Sequence, residues 1–252
     1  MSLGFLNVSW WVPFAYFAVG AHLSNACTSI YLHRSITHRA LELSPIVAFP
    51  MRLWLWLSTG VNTREWVACH RKHHAHADRE EDPHSPVNSS VLAVLFGGWG
   101  QYRRAVADAD MVQKYGKGVP ADWWERNVFG KHTLPGLLLL LGLDLVLLGW
   151  AWGATVWAVQ LFHMPLQGGI VNGIGHGWGY RNFDTKDHST NLFPFGLWIA
   201  GEELHNNHHA DPKAACFRKR WFEVDTGWVY VRVLENLGLA TSVHRGTVVS
   251  SG

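Results

Sequence analysis

All 21 Lys and Arg residues of the 252-residue chain fall between Arg34 and Lys131 or between Arg181 and Arg245, so 1–33 and 132–180 carry no fixed cation. The second cation-free stretch is apolar. Leu134 to Trp150 includes the run Leu137 to Leu141, and Trp152 to about Val171 follows after a very short turn. About 20 residues cross a hydrocarbon core of about 30 Å, so the two segments predict a helical hairpin. Trp10 to Leu32 is similarly apolar, with Trp10, Trp11 and Tyr31 at its ends, where amphipathic rings sit at membrane interfaces. Cations concentrate on the cytoplasmic side of membrane proteins, which puts 33–132 and 172–252 there and the amino terminus outside.

Three crossings satisfy that map, at about 10–32, 134–150 and 152–171. Residues 1–32 lack the basic region that opens a cleavable leader, so the first apolar stretch reads as an anchor. Asp144, within the hairpin, is expected to pair inside the bundle or lie near the far interface. A hydrophobic fraction of 48% against 16% charged residues fits a polytopic chain better than a soluble domain. The formal charge of +2 is too small to point to nucleic acid. Cys27, Cys69 and Cys216 are odd in number and widely spaced, which argues against a disulfide framework and thiolate metal ligation.

The polar segments are rich in clustered histidine. His205, His208 and His209 stand at i, i+3 and i+4, neighbouring positions on one helical face. His70, His73 and His74 repeat that spacing, His33 and His38 form a third cluster, and His176 follows the hairpin four residues after Asn172. Nine imidazoles exceed the ligand set of one zinc, so two metal ions are expected, although imidazole alone does not choose among iron, copper, zinc and nickel. Clusters that share a site must lie on one side of the membrane. Pro45 to Val61, short and broken by Pro50 and Arg52, lies between two of them and therefore reads as an interfacial helix at about 45–61. Residues 101–132 are expected in water as a cap beside the clusters, and the last ten residues as a frayed tail.

The fold expected is thus all-α: a polytopic membrane helical bundle with a cytoplasmic helical cap holding a His-rich dimetal site, in one domain over 1–252. A membrane metal transporter or sensor would instead place its ligands at mid-bilayer depth along a pathway.

His33 to His38, His70 to His74 and His205 to His209 follow the order HxxxxH, HxxHH, HxxHH. With Glu65-Trp66, Asp82-Pro83-His84, Asn172 with His176, Gly179-Tyr180-Arg181 and Gly201-Glu202, the chain resembles the membrane fatty acid desaturase superfamily over about residues 20–235. It is most like the Δ9 acyl desaturases. Glu202 to His209 with Asp225-Thr226-Gly227-Trp228 looks most like proteobacterial members.

The resemblance implies two Fe ions held by His33, His38, His70, His73, His74, His176, His205, His208 and His209, with Asn172 acting through a water. It implies O2 as co-substrate and a cis double bond, at Δ9, in a fatty acyl chain on a lipid or thioester. A hydroxylase on the same scaffold shares the first hydrogen abstraction and stays open. Glu202 and Asp82 are candidates to fix the tautomers of ligand histidines, the partner a metal-bound imidazole commonly needs. Trp66 is a candidate for the acyl channel. The chain departs from many relatives in having room for one helix before His33. It also lacks the His-Pro-Gly-Gly stretch of a fused cytochrome b5, so a separate electron donor is expected: ferredoxin, rubredoxin or cytochrome b5-like, with its reductase. The expected setting is a multi-pass protein of a bacterial inner membrane, in contact with membrane lipid.

Overall fold

The computed structural model describes residues 9–246. Helix α1 (Val12–Cys27) starts at Pro13 in its first turn and runs without a break into a π-helical segment, Thr28–Thr37. Pro45 opens α2 (Pro45–Thr59), which stops at Gly60 because φ there is 61°, the left-handed region a glycine enters at low cost. Asn62 then caps α3 (Thr63–His76), its side chain accepting from the amides of Arg64 and Glu65. Ser90 caps α4 (Val91–Val106) and Asp108 caps α5 (Ala109–Tyr115) in the same way.

The apolar hairpin is α6 (Thr133–Leu148) and α7 (Trp150–Gly173), turned at Gly149 with φ 85°. Its two legs approach closely at Gly153, where a Cβ would lie 2.5 Å from the Asp144 carbonyl oxygen. Trp157 Nε1 donates to Leu137 O at 2.8 Å across the hairpin. Asp144 is fully buried and accepts from Tyr16 Oη at 2.6 Å, a pairing inside the bundle. Beyond the hairpin come the six-residue α8 (His205–Ala210) and α9 (Thr226–Asn236).

The chain is helical as expected, with two minimal sheets added. Strands β1 (Glu42–Leu43) and β4 (Ala240–Thr241) pair antiparallel, while β2 (Phe195–Gly196) and β3 (Val224–Asp225) pair in parallel. Val243 to Arg245 correct the frayed-tail expectation in part. His244 N donates to Ala40 O and Ala215 N to His244 O, while Val243 packs on a core of Ala26, Ile30, Leu41 and Val231. The rest of that tail, 247–252, lies outside the described residues.

The three segments expected to cross a bilayer are helices, yet among the described residues no helix is long and apolar enough to cross a membrane. The 16 residues of α6 rise about 24 Å at about 1.5 Å each, short of about 30 Å. Helix α7 has the length, with 24 residues, but carries Gln160, His163 and Gln167. Helix α1 is apolar for 16 residues and then changes to π geometry.

The cap also differs from the expectation. Helix α4 runs straight through the boundary placed near residue 100, because its inner face packs along α7 rather than facing water. Small residues allow this. Gly98 faces Gly169 with 4.0 Å between its Cβ position and the Gly169 Cα, and a Cβ on Gly169 would lie 2.3 Å from Leu95 O. Arg52, which interrupts α2 in the sequence, is buried and ion-paired to Asp122 at 2.6 Å and Glu125 at 3.1 Å, tying α2 to the segment that precedes α6.

These glycine contacts set up a paired test on one helix. Gly169→Val should lower the unfolding midpoint, as overpacking costs about 1–3 kcal/mol. Gly168→Ala, where a Cβ meets nothing within 4 Å, should be neutral or stabilising, by at most about 1 kcal/mol. Thermal unfolding followed by circular dichroism reads both. Equal responses would refute the close α4–α7 approach.

Candidate metal centre

Five imidazoles, His33, His38, His70, His74 and His208, offer nitrogens that all lie within 4.8 Å of one another, and His73, His176, His205 and His209 form a second such group. Every histidine singled out in the sequence is in one of the two cages.

Helix geometry explains how each box contributes. On α3, His70 and His74 sit one turn apart and enter the first cage, whereas His73 is rotated into the second. Helix α8 does the reverse. His205 and His209 enter the second cage and His208 the first. The i, i+3, i+4 spacing thus divides each helix between two neighbouring centres.

The five-residue spacing of His33 and His38 would point the rings about 140° apart on an α-helix, at about 3.6 residues per turn. In the wider π turn, His38 N donates to His33 O at 3.1 Å and the ring centroids are 4.8 Å apart. Isolated π turns are rare and occur often at functional sites.

The short helix α8 is buried from His205 to His208, and its intervening asparagines are fully partnered. Asn207 donates to Phe217 O at 3.0 Å and Glu223 at 2.9 Å, and accepts from Asn182 and Asn191. Asn206 accepts from the amides of Asn182 and Phe183, both at 2.9 Å.

Within the cages bare nitrogens face each other. Nε2 of His208 lies 3.0 Å from Nε2 of His33 and 2.9 Å from that of His74; His74 and His70 are 3.0 Å apart, as are His176 and His205. His38 Nε2 is buried with no hydrogen-bond partner. Four rings are oriented from behind by carboxylates. Nδ1 of His33 donates to Glu202 at 2.7 Å, of His73 to Asp82 at 2.9 Å, of His176 to Asp78 at 2.8 Å, and of His209 to Asp187 at 3.0 Å. Nδ1 protonation leaves Nε2 as the free lone pair on each.

Two of these carboxylates, Asp78 and Asp187, were not anticipated. Asp78 lies two residues after His76, near enough to the second box to have been considered, but Asp187 belongs to a loop with no spacing relation to any box. Each is held in turn: Asp78 accepts from Ser85 Oγ at 2.6 Å and His188 N at 2.7 Å, and Asp187 from Thr185 Oγ1 at 2.8 Å. Glu202 also accepts from Ser29 Oγ, whose partner Arg34 is fully buried and paired to Asp225 at 2.9 Å. Trp66 stacks parallel on His70, centroids 5.0 Å apart. Asn172 stands four residues before His176 near the end of α7, its Oδ1 buried without a partner. His84, two residues after Asp82, stacks on His73 and with Asp82 completes a third group. His76 pairs instead with Tyr115 Oη at 3.0 Å.

Burial depresses the imidazoles. It is the largest cause of the shifts of His38, His70, His74, His205 and His208 well below the usual histidine value, with neighbouring imidazoles adding to it. His84 and His209 are brought to about 3 by the same burial, against a partial pull from Asp187 on His209. For Asp82 burial works upward, but the His73 hydrogen bond and charge outweigh it and leave about 2. Asp78 and Asp187 are displaced downward in the same way by His176 and His209. Burial thus favours neutral nitrogen donors in both cages, and carboxylates stand behind four of the nine rings, an arrangement that fits a metal centre.

Comparison with known proteins agrees with this chemistry. A family model described as fatty acid desaturase matches residues 9–231. Among curated relatives, Delta-9 acyl-lipid desaturase 2 of Arabidopsis thaliana is 30% identical, covering 92% of this chain and 74% of its own length. Acyl-CoA C20 Delta5-desaturase of Anemone leveillei is 31% identical, covering 93% and 73%. The sn-1 stearoyl-lipid 9-desaturase of Anabaena variabilis is 33% identical, covering 84% and 76%.

The buried neutral imidazoles fix the acid response of the metal-free protein. Their ordinary value is about 6.5 in the unfolded chain and lower in the fold, so the folded state binds fewer protons. Stability is complete above about pH 6.5 and falls steadily as the pH drops below it. Asp82, whose ordinary value is 3.8, adds a loss only at still lower pH. Unfolding midpoints of chelator-treated protein should therefore decline from about pH 6.5 downward; a flat midpoint to about pH 4.5 would contradict neutral cages.

Proposed function

This chain belongs to the fatty acid desaturase family and is a fatty acyl desaturase, an oxidoreductase of lipid metabolism, and from that premise we propose that its two imidazole cages hold two Fe ions and use O2 as co-substrate. The observation that carries the proposal is the division of nine buried or half-buried histidines into adjacent groups of five and four.

The donors suit a metal of high coordination number. The five nitrogens of the first cage, all within 4.8 Å of one another, exceed the four ligands of a tetrahedral zinc site. Imidazole suits iron, and oxygen chemistry is characteristic of it. When bound, the metal pair supplies the O2 activation that removing hydrogen from an unactivated methylene requires and that no side chain provides.

The remaining work falls to the chain's own residues. His33, His38, His70, His74 and His208 hold one ion, and His73, His176, His205 and His209 the other. The free Oδ1 of Asn172 is suited to anchor a water beside the second ion. Glu202, Asp82, Asp78 and Asp187 keep Nε2 of their histidines bare and aimed. Trp66, stacked on His70, walls the path along which the acyl chain reaches the cages. Leaving a cis double bond while O2 becomes two waters consumes two further electrons and two protons. A separate ferredoxin, rubredoxin or cytochrome b5-like donor with its reductase supplies those electrons.

The named relatives act at Δ9 in two cases and at Δ5 in one, and Δ9 is the position proposed here. The membrane reading rests on outward-facing side chains. Phe14, Val19 and Leu23 on α1, Leu138, Leu139, Leu143 and Val146 on α6, and Val159, Phe162 and Leu166 on α7 are all exposed, a belt suited to lipid. These helices embed together as a multi-pass bundle of a bacterial inner membrane, with the cages on the cytoplasmic side.

Expression of the wild type in a host that lacks the product should add a cis double bond to its fatty acids, located by mass spectrometry. His208→Ala, which removes the nitrogen facing both His33 and His74, should abolish it; hydroxylated lipid alone would sink the desaturase outcome. Asp78→Asn should keep the fold but weaken metal retention by about 10–100-fold, read as iron per chain after graded chelation.

A further inference from the structure

A polar cavity of about 210 Å³ lies away from the cages between the start of α3, the end of α4 and the turn into α6. Glu65, Tyr102, Arg103 and Lys131 line it, with Asn62 and Trp99 at its edges. At about 30 Å³ per water it has room for about seven waters, the scale of a phosphate bearing one short amine arm.

Arg34 is buried against Asp225 and Arg52 against Asp122 and Glu125, whereas Arg103 and Lys131 are exposed at this cavity and Glu65 is half-buried. Glu65, Arg103 and Lys131 line one cavity, and among the described residues their side chains make no ion pair and no hydrogen bond, although Arg103 lies over the Trp99 ring at 6.0 Å. The Tyr102 hydroxyl is buried without a partner as well. Burial pushes Glu65 above the usual carboxylate range, and Arg103 reverses this only in part. A cation placed beside Glu65 would relieve that cost.

The position is as informative as the charge. Lys131 and Thr133 stand where the apolar helix α6 begins, and Trp99, Trp123 and Trp124 are exposed nearby in sequence, as aromatic rings are at a lipid–water boundary. Glu65 is followed directly by Trp66, which stacks on His70 of the first cage. One turn of α3 therefore connects the cavity to the metal centre.

We propose that this cavity binds the headgroup of a phosphoethanolamine lipid, its phosphate between Arg103 and Lys131 and its ammonium against Glu65 and the Tyr102 oxygen. The proposal rests on the desaturase reading and names the acyl carrier: an intact membrane phospholipid whose chain passes Trp66 toward the cages. A choline headgroup has no N–H to give Glu65 and Tyr102. A coenzyme A thioester brings several phosphates toward a carboxylate and is too large for the cavity.

The test reads binding without turnover. Iron-loaded full-length protein in mild detergent is offered equimolar dimyristoyl phosphatidylethanolamine, phosphatidylcholine and phosphatidylglycerol, and retained lipid is counted by native mass spectrometry. Phosphatidylethanolamine should be retained about tenfold over the others, the worth of one charged hydrogen bond. Glu65→Gln should erase that preference, and Arg103→Gln should weaken retention of all three, with iron content unchanged in both. Equal retention of the three lipids by the wild type, unaltered retention in both variants, or displacement of bound lipid by stearoyl coenzyme A would overturn the proposal. Preference for phosphatidylethanolamine in a protein that leaves host fatty acids unchanged would refute the desaturase reading while leaving the headgroup site standing.

Discussion

A buried imidazole can serve a metal only if one ring nitrogen is bare and aimed, and here nine such rings must be satisfied in one small volume. Much of the surrounding structure answers to that constraint. Carboxylates take the Nδ1 proton of His33, His73, His176 and His209, and each is oriented by hydroxyls, amides or other side chains of its own. Burial keeps most of the remaining rings neutral. An unpaired imidazolium would cost far more in this setting than the packing around it returns.

The carboxylates are unevenly placed. Glu202 alone supports the cage of five, whereas Asp78, Asp82 and Asp187 all support the cage of four. Three acceptors behind four imidazoles make that cage the more electron-rich, which offsets its smaller number of nitrogens. The buried Arg34 links this inner layer to the carboxy-terminal segment. It pairs with Asp225, donates to Ala215 O at 2.9 Å and lies over the Phe217 ring at 3.8 Å, while Phe217 packs on His208. Removing either partner of such a buried pair typically costs about 3–5 kcal/mol, because it leaves a charge uncompensated.

Outside this polar interior the protein is built from apolar helices that face outward and meet through glycines. Gly98 and Gly169 let α4 lie on α7, and Gly153 closes the hairpin. The histidines are gathered where α1, α3, α7 and α8 converge, while α1, α6 and α7 carry much of the exposed apolar surface, an arrangement suited to an oxidation carried out on a lipid chain.

The sequence by itself determined that the chain is mainly helical, that an apolar hairpin separates two polar regions, and which nine histidines could act together. Those features are legible because they are periodic: cation-free apolar runs and imidazoles at i, i+3 and i+4 carry their geometry locally. It also supplied Glu202 and Asp82 as neighbours of the boxes. Only the tertiary structure decided how the histidines divide between two cages, because rotation about α3 and α8 has meaning only relative to a facing helix. The π-helical turn that aligns His33 with His38 was not readable either, since its energy comes from packing rather than residue preference. Asp187 reaches His209 through a loop with no periodic relation to it. Glu65, Arg103 and Lys131, far apart in the chain, share one cavity because three separate elements converge there.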